Sequence, residues 1–403
     1  MTYKTYIRVL IFALCFGVLG RVSSQTPISG VVNEYARIDS IVPSKDTLHL
    51  SSTAFLSPGD TVLIMQMKGA EPDLTNSNKE NLGSIKFMNH AGKMEFVKLL
   101  KLLPDNKVLL ARSLMQTYNG ASSIQQLIRV PSYKQARVTS ELSAPAWNGE
   151  VGGVITLLVH DTLFLEASIN ASGIGFRGAE PVVSSTTIRC AADDPAFFGR
   201  MLFSETETNE VGRKGESVIV TQLANSKGMG RWANAGGGGN GRFAGGGGGG
   251  SAGSGDNSFG PNSIGCELPA YPDLTYGLKG RNGQSTESGA GFYGNSDSTI
   301  FFGGGGGAGN TEPGFTATSG GNGGGLVIIL CDYLVGSGGN ILATGASVEN
   351  VATAGAGGGG GGGVIFLQAN DVSGSLLLDV SGGDGGNTEA SSEVLPGPGG
   401  GGG

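Results

Sequence analysis

Short stretches of alternating apolar and polar residues fill the first third of the chain. Seven of them lie between Tyr35 and Val130, separated by the Pro, Gly, Asn and Asp residues that favour turns. Side chains that alternate with a period of two predict β-strands with one buried face. The stretches are YARIDSIV, DTLHLSS, DTVLIMQMKG, SIKFMNH, KMEFVKLLKLL, KVLLARSL and QQLIRV. Seven short strands in about 100 residues predict a small β-sandwich or barrel-like domain.

One of these stretches has two interpretations. In EFVKLLKLL, the residues Phe96, Leu99, Leu100 and Leu103 also fit the apolar stripe of a helix. The turn-forming residues 104–106 come directly after it and lead into KVLLA. This order favours a β-hairpin over a helix.

A different pattern repeats in the second part of the chain. Units that begin at Gly152, Gly324 and Gly362 each contain a glycine pair, an apolar strand, a polar turn and a second strand. The last two units are offset by 38 residues (324 to 362). Self-similarity at a fixed period is typical of repeat architectures, and two strands per unit predict a β-solenoid-like repeat array.

Glycine content divides the chain in the same way. Of 75 glycines only eight precede residue 148, and the composition changes near residues 144–153. We therefore predict an N-terminal β-domain over 25–147 and a glycine-rich β-repeat region over 148–403. Residues 176–299 interrupt the repeats as an irregular insertion. Such an insertion either projects from the array and carries function or caps one end of it.

The glycine tracts have two interpretations as well. The run Gly357 to Gly363 leads straight into the apolar residues VIFL, and such tracts precede the strands at the same point of the repeat. This regular position predicts extended polyproline-II-like segments packed beside the strands. Mobile glycine loops between ordered strands are the alternative.

The N-terminus indicates export. Lys4 and Arg8 precede the apolar run from Val9 to Gly20, and small residues come after it, which is the pattern of a signal peptide over 1–24. No later segment is long and apolar enough to span a bilayer, so we expect the mature chain to be secreted or on the outer cell surface. The net charge of −7 and the lack of a basic tract disfavour nucleic-acid binding.

Three cysteines remain after the predicted cleavage. Cys190 and Cys266 lie in polar, loop-like sequence, whereas Cys331 ends the apolar run LVIILC. In an oxidising compartment this predicts a Cys190–Cys266 disulfide and a free, buried Cys331. The alternative is that all three are unpaired.

Motifs of catalysis and cofactor binding are not evident. The glycine tracts lack the lysine of a phosphate-binding loop, and the three histidines lack metal-ligand spacing. We therefore expect no cofactor, no metal and no catalytic residue. Aromatic residues scattered through the insertion are candidates for stacking on sugar rings, so a carbohydrate-binding module or carbohydrate-active enzyme segment is the alternative function. They are Trp232, Phe243, Tyr271, Tyr276 and Tyr293.

Several segments together resemble a family of glycine-rich exported surface proteins of gliding Bacteroidetes-type bacteria. They are LSPGDTVLIMQMKGA, HAGKMEF, LIRVPSY, APAWNGEVGGVITL, SGIGFRG and FFGGGGGAGN. Longer members of that family end in a gliding-motility-associated or type IX sorting domain. The resemblance implies cell-surface or secreted placement and a structural or adhesin-like role. The repeated faces and projecting loops predict multivalent binding, and we expect surface polysaccharide or other cell-surface proteins as partners.

The phase of the repeat also predicts how the protein continues beyond its last glycine run. The sequence GNTE occurs at 309–312 and again at 386–389, and the first copy lies shortly before the strand LVIIL. By the same phase a new apolar strand is due directly after Gly403. We therefore expect the chain to be a fragment of a longer protein.

Overall fold

A computed structural model describes residues 25–73, 83–118, 123–183, 212–220, 227–228, 230–239, 243–258, 283, 299–389 and 396–403. This part of the chain forms β-strands and contains no helix. The strands of the first half are β1 Thr26–Val31, β2 Glu34–Ile41, β3 Thr47–Leu50, β4 Thr61–Lys68, β5 Glu71–Pro72, β6 Ile85–Phe87, β7 Met94–Leu103, β8 Lys107–Leu110, β9 Ile124–Val130, β10 Ser132–Tyr133 and β11 Ala136–Ser143. Those of the second half are β12 Val154–Leu165, β13 Ile169–Asn170, β14 Leu326–Ser337, β15 Ile341–Leu342, β16 Val364–Gln368, β17 Asp371–Ser375 and β18 Leu378–Asp379.

Six strands of the first half close into an antiparallel barrel. Their order around the barrel is β2-β3-β8-β7-β4-β9, and the seven stretches predicted as strands all occur as strands. The interior is filled by aliphatic side chains from alternate positions, among them Leu48, Val62, Val108 and Leu127. The prediction of a mainly β protein with a barrel-like domain is confirmed.

The ambiguous stretch EFVKLLKLL is a strand. It forms β7, which pairs antiparallel with β8 through a tight turn. The two central turn residues, Asp105 and Asn106, have φ of 59° and 52°. Positive φ at both positions is the geometry of a type I′ turn, whose twist matches that of the flanking strands. The predicted hairpin is therefore confirmed.

Strand β4 is buried on both faces. Val62 and Ile64 point into the barrel, whereas Leu63, Met65 and Met67 belong to a second core outside it. Residues from the second half of the chain complete that outer core, including Phe176 and Phe302. Because one barrel wall serves two cores, the barrel is packed against the rest of the protein.

The second large element of the fold is a parallel sheet of ten strands. It contains β1 and β10 to β18, and each pairing in it is parallel. Strands β1, β10 and β11 belong to this sheet although they precede the change in composition near residues 144–153. The sheet therefore begins earlier in the chain than the glycine content indicates.

The three sequence repeats lie side by side in this sheet. We call them rungs: β12 with β13 is the first, β14 with β15 the second, and β16 to β18 the third. Val154 pairs with Leu326, and Leu326 pairs with Val364, so the 38-residue offset corresponds to a step between neighbouring strands. Apolar side chains stack in columns through the rungs, as in Leu163–Leu334–Val372 and Ile169–Ile341–Leu378.

The glycine tracts lie beside the sheet as packed, buried segments, which we call the glycine bundle. Its centre is the segment 355–363. Every third N–H of this segment donates to the same neighbour. The N–H groups of residues 355, 358 and 361 donate to carbonyls of segment 304–310, which runs antiparallel to the centre. The N–H groups of residues 356, 359 and 362 donate to carbonyls of segment 397–403, which runs parallel to it. The bonds are Gly355 to Asn310, Gly358 to Gly307, Gly361 to Gly304, Ala356 to Gly397, Gly359 to Gly400 and Gly362 to Gly403, each of 2.8–3.0 Å.

The carbonyl groups and the remaining N–H groups reach four more segments. N–H groups of residues 360 and 363 donate to residues 346 and 343. Carbonyls of the centre accept from segments 318–324, 246–249 and 383–386, again with a spacing of three residues. Six neighbours thus surround the centre. A period of three, with hydrogen bonds only to neighbours, is the geometry of polyproline-II-like chains.

Glycine is required in the bundle because the backbones lie so close together. The residues of the central tract are not among those with positive φ, so their backbone conformation is open to other residues. A Cβ built on Gly360, however, would lie 1.9 Å from the carbonyl oxygen of Asn322. Similar distances to backbone atoms occur throughout the bundle. A side chain there would force hydrogen-bonded segments apart.

We therefore expect Gly360→Ala to destabilise the protein. The added methyl group would clash with the backbone of Asn322, which cannot rotate away as a side chain can. We expect the free energy of unfolding to fall by about 1–3 kcal/mol. Thermal unfolding followed by circular dichroism measures the effect. Gly401→Ala is the matched control, because a Cβ at Gly401 has its nearest neighbour at 3.5 Å. Equal melting temperatures for the two variants would contradict this close packing of backbones.

Candidate functional site

The residues predicted from the insertion divide into two groups. Cys190, Cys266, Tyr271, Tyr276 and Tyr293 lie outside the described residues. Trp232 and Phe243 are described, and both are buried. In this structure their rings therefore pack within the protein rather than present a face to a sugar ring.

The neighbours of these two rings explain their burial. Trp232 belongs to the core outside the barrel, and its backbone exchanges two hydrogen bonds with Ala235. The ring of Phe243 lies 4.7 Å from that of Phe315, measured between centroids. Segments 236–239 and 244–250, which come after them, are part of the glycine bundle. Trp232, Phe243 and these two glycine segments of the predicted insertion thus lie in the interior of the protein.

An aromatic cluster lies where the barrel, the sheet and the bundle meet. The rings of Trp147, Phe176 and Phe302 are arranged edge to face, with centroids 5.2–6.3 Å apart. All three rings are buried. They come from the connection before β12, from the start of the predicted insertion and from the start of a glycine tract.

A buried ion pair adjoins this cluster. Nζ of Lys68, the last residue of β4, lies 2.5 Å from Oε1 of Glu216 and 5.3 Å from the centroid of the Phe176 ring. Both charged side chains are almost fully buried. Arg177 donates from Nε to Oε2 of Glu216 at 2.8 Å, and Trp147 donates from Nε1 to Oε1 at 3.1 Å. We call this ion pair, together with Arg177 and the three aromatic rings, the junction cluster.

Glu216 is also part of the glycine bundle. Its carbonyl accepts a hydrogen bond from the N–H of Gly305, and its N–H donates to the carbonyl of Arg177. One residue thus connects a barrel strand, through Lys68, to two segments of the bundle. The Glu216 carboxylate is bound by Lys68, Arg177 and Trp147 of the same protein. This arrangement is typical of a structural contact between two parts of a fold.

The charges of the junction cluster shift its acid–base behaviour. Burial alone would raise the pKa of Glu216, but Lys68 and Arg177 outweigh this effect and lower the pKa to about 2. Burial lowers the pKa of Lys68, and Glu216 opposes that shift. Glu216 is therefore ionised at every pH well above 2.

Sequence patterns offered little sign of the junction cluster. Lys68 ends the mostly apolar, buried strand TVLIMQMK, which is an unusual place for a charged side chain. Its partner Glu216 is distant in sequence and stands in the polar stretch RKGES. A lysine at the end of a buried strand is the one signal that could have prompted a search for a buried acid.

A polar groove lies at the edge of the bundle. It has a volume of about 620 Å³ and is formed by two segments, 316–321 and 347–351. Hydroxyl groups and backbone line much of it, including Thr316, Thr318 and Ser347. Within the described residues no group of three or more His, Cys, Asp or Glu is placed to hold a metal ion.

Comparison of the chain with known protein families, with curated proteins and with solved structures finds no match. The family resemblance of the sequence segments therefore rests on those segments alone. No helix in the part of the chain that the structure describes is long and apolar enough to cross a membrane.

Cys331 is a free, buried thiol in the described part of the chain, as predicted. It lies on β14 and pairs with Val159 of the first rung. Burial, with a smaller contribution from Asp332, raises the pKa of the thiol to about 11. Since the thiolate is the reactive form, Cys331 should react slowly in the folded protein.

The junction cluster predicts a loss of stability in acid. A glutamate with a pKa of about 4.3 in the unfolded chain and about 2 in the folded chain stabilises the folded state above pH 4.3. That contribution, roughly 3 kcal/mol, is lost as the pH falls from 4.3 to 2. Urea unfolding at a series of pH values should show this slope in the native protein and a smaller one in Glu216→Gln.

Glu216→Gln should also lower the stability at neutral pH. It leaves the buried charge of Lys68 without its carboxylate, a change that typically costs about 3–5 kcal/mol. Glu150→Gln is the control, because Glu150 pairs with Arg37 on the surface and should contribute less than about 1 kcal/mol. Equal effects of both substitutions would contradict the role of the junction cluster.

Thiol chemistry tests the cysteine predictions. In protein purified after export, we expect peptide mapping without reductant to find a Cys190–Cys266 disulfide. Cys331 should resist iodoacetamide at pH 8 in the folded protein and react fully in urea, because burial protects it. Detection of Cys331 in a disulfide, or of free Cys190 and Cys266, would contradict these predictions.

Proposed function

We propose that the chain is an exported cell-surface protein with a structural or adhesin-like role. In this proposal the three rungs and the glycine bundle belong to a solenoid-like repeat array. The repeated surfaces of the array bind a partner at several weak sites rather than at one tight site. Avidity then provides the strength, since linked sites gain about 10²- to 10⁴-fold over single sites. Surface polysaccharides and other cell-surface proteins are the proposed partners.

The glycine bundle is the observation that supports this role best. Backbone hydrogen bonds link the central segment to six neighbours, so a load on one segment is shared among the others. The junction cluster joins the bundle to the barrel through a buried ion pair. A cross-linked scaffold of this kind is suited to holding a binding surface in a fixed shape. The signal-peptide pattern of residues 1–24 supports export.

The location can be tested on cells that produce the protein. We expect antibodies against the purified chain to label intact cells, and brief protease treatment of intact cells to remove the label. N-terminal sequencing of the cell-associated protein should begin at Gln25. Labelling that appears only after the cells are permeabilised would contradict the proposal.

Binding can be tested with beads that display the chain at high and low density. Dense beads should bind cell-surface polysaccharide about 100-fold more tightly than the chain in solution, because many sites act together. Equal binding at both densities would argue against a multivalent mechanism. A glycan array identifies the sugar.

The alternative is a carbohydrate-binding module or a carbohydrate-active enzyme segment. The hydroxyl-lined groove between segments 316–321 and 347–351 favours sugar binding in general, because hydroxyl groups both donate and accept hydrogen bonds. A panel of polysaccharides incubated with the chain separates the two functions. Binding without release of sugars supports the adhesin-like role, whereas release of sugars supports the enzyme.

A further inference from the structure

One neighbour of the central glycine segment turns away from it at the polar groove. Two N–H groups of the centre, three residues apart, donate to carbonyls of segment 343–346. The next N–H in this phase is that of Gly357, and it donates instead to Oγ1 of Thr318 at 2.8 Å. A hydroxyl group thus replaces the backbone carbonyl that the phase predicts. The chain that continues from this neighbour, segment 347–351, forms one wall of the groove.

The other wall, segment 316–321, loses a backbone partner at the same point. Just after it, the carbonyl of Asn322 accepts a hydrogen bond of 2.8 Å from the N–H of Ala346. The two segments run antiparallel, so the same spacing predicts a bond from the N–H of Glu349 to the carbonyl of Ser319. Within the described residues neither of these groups forms a hydrogen bond, and neither does the N–H of Ser319. All three backbone groups belong to residues that line the groove.

The groove has the dimensions of an extended chain. Its longer wall has six residues, which span about 19 Å at the rise of about 3.1 Å per residue of a polyproline-II helix. Its volume is about 620 Å³. The walls are themselves segments that make hydrogen bonds at intervals of three residues. A ligand with the same interval can therefore stay in register with them.

We propose that this groove binds a glycine-rich peptide of another protein in the polyproline-II conformation. The N–H groups of the peptide donate to the carbonyl of Ser319, and its carbonyls accept from the N–H groups of Ser319 and Glu349. These are contacts of the kind that already hold the glycine bundle together. The peptide takes the position beside the centre that segment 347–351 leaves.

Glycine suits this groove better than proline does. Grooves that recognise proline-rich peptides are lined by aromatic side chains, and no aromatic residue lines this one. Proline also lacks the N–H that the carbonyl of Ser319 would accept. Close approach requires that no Cβ intervenes, as at Gly321 on the wall, where an added Cβ would lie 2.0 Å from the carbonyl oxygen of Ala346.

A peptide also fits the free groups of the groove better than a sugar does. Sugars bind through hydroxyl groups, but two hydroxyls of the walls, those of Thr318 and Ser347, already accept hydrogen bonds from backbone N–H groups. The groups left over at Ser319 and Glu349 include both backbone donors and a backbone acceptor, which is the complement of a peptide unit. The site could supply one of the weak contacts of the proposed adhesin-like role, but peptide binding in solution does not depend on that role.

Saturation-transfer NMR of the full chain with blocked hexaglycine tests the proposal. We expect binding with a Kd on the order of 1 mM, as for one weak site. Hexasarcosine, which is hexaglycine methylated on each nitrogen, keeps the carbonyls but has no N–H in its repeat. It should bind about tenfold more weakly, because hydrogen bonds to the Ser319 carbonyl are lost.

A substitution in the wall locates the site. Ser319→Phe should weaken hexaglycine binding at least tenfold, because the ring would fill the groove. Ser57→Phe is the matched control, since both serines are exposed but Ser57 lies in the turn before β4. Circular dichroism verifies that both variants are folded, and the comparison with hexasarcosine needs no variant.

Three results would overturn the proposal. They are no binding of hexaglycine, equal binding of hexaglycine and hexasarcosine, and hexaglycine binding that Ser319→Phe leaves unchanged. Maltohexaose and cellohexaose are tested in the same way. If either sugar binds in a manner that Ser319→Phe abolishes while hexaglycine does not bind, the groove is a sugar site. The cellular location of the chain affects none of these results, so failure here is distinct from failure of the proposed surface role.

Discussion

The close approach of backbone to backbone in the glycine bundle is the constraint on which the rest of the structure depends. Each segment donates and accepts hydrogen bonds in several directions at once, which a flat sheet does not allow. Such contacts are possible only where no Cβ intervenes, as at Gly360. A segment of the bundle also leads directly into a rung, since residues 355–363 are followed at once by β16. The sheet, with its ordered columns, depends on this arrangement.

The junction cluster shows how a bundle of glycine segments, which has few side chains, packs against the barrel. The glycine bundle has no side chains that could interdigitate with those of the barrel. The contact is made instead at its margin, where Phe302 begins a glycine tract and Glu216 ends a bundle segment. Edge-to-face rings supply apolar area there, and the buried ion pair fixes which segment meets β4.

Side-chain periodicity predicted the parts of the fold that side chains determine. The barrel strands follow from alternation, the β7–β8 hairpin from its turn residues, and the alignment of the rungs from the 38-residue offset. Glycine tracts carry no such pattern, so packed segments were one of two alternatives, and which segments are neighbours could not be predicted. The burial of Trp232 and Phe243 was not foreseen either, because it depends on distant residues that the arrangement of the glycine segments brings to these rings. The pairing of Lys68 with Glu216 depends on that arrangement too.

The composition of the bundle has a consequence for the temperature dependence of stability. Unfolding a hydrophobic core raises the heat capacity because apolar surface becomes hydrated, whereas exposure of polar backbone lowers it. The interior of the bundle is almost entirely backbone, so its unfolding exposes peptide groups and few hydrocarbon side chains. The barrel should therefore lose stability on cooling as ordinary domains do, while the bundle should have a flatter stability curve. Cold would then weaken the two halves of this protein unequally.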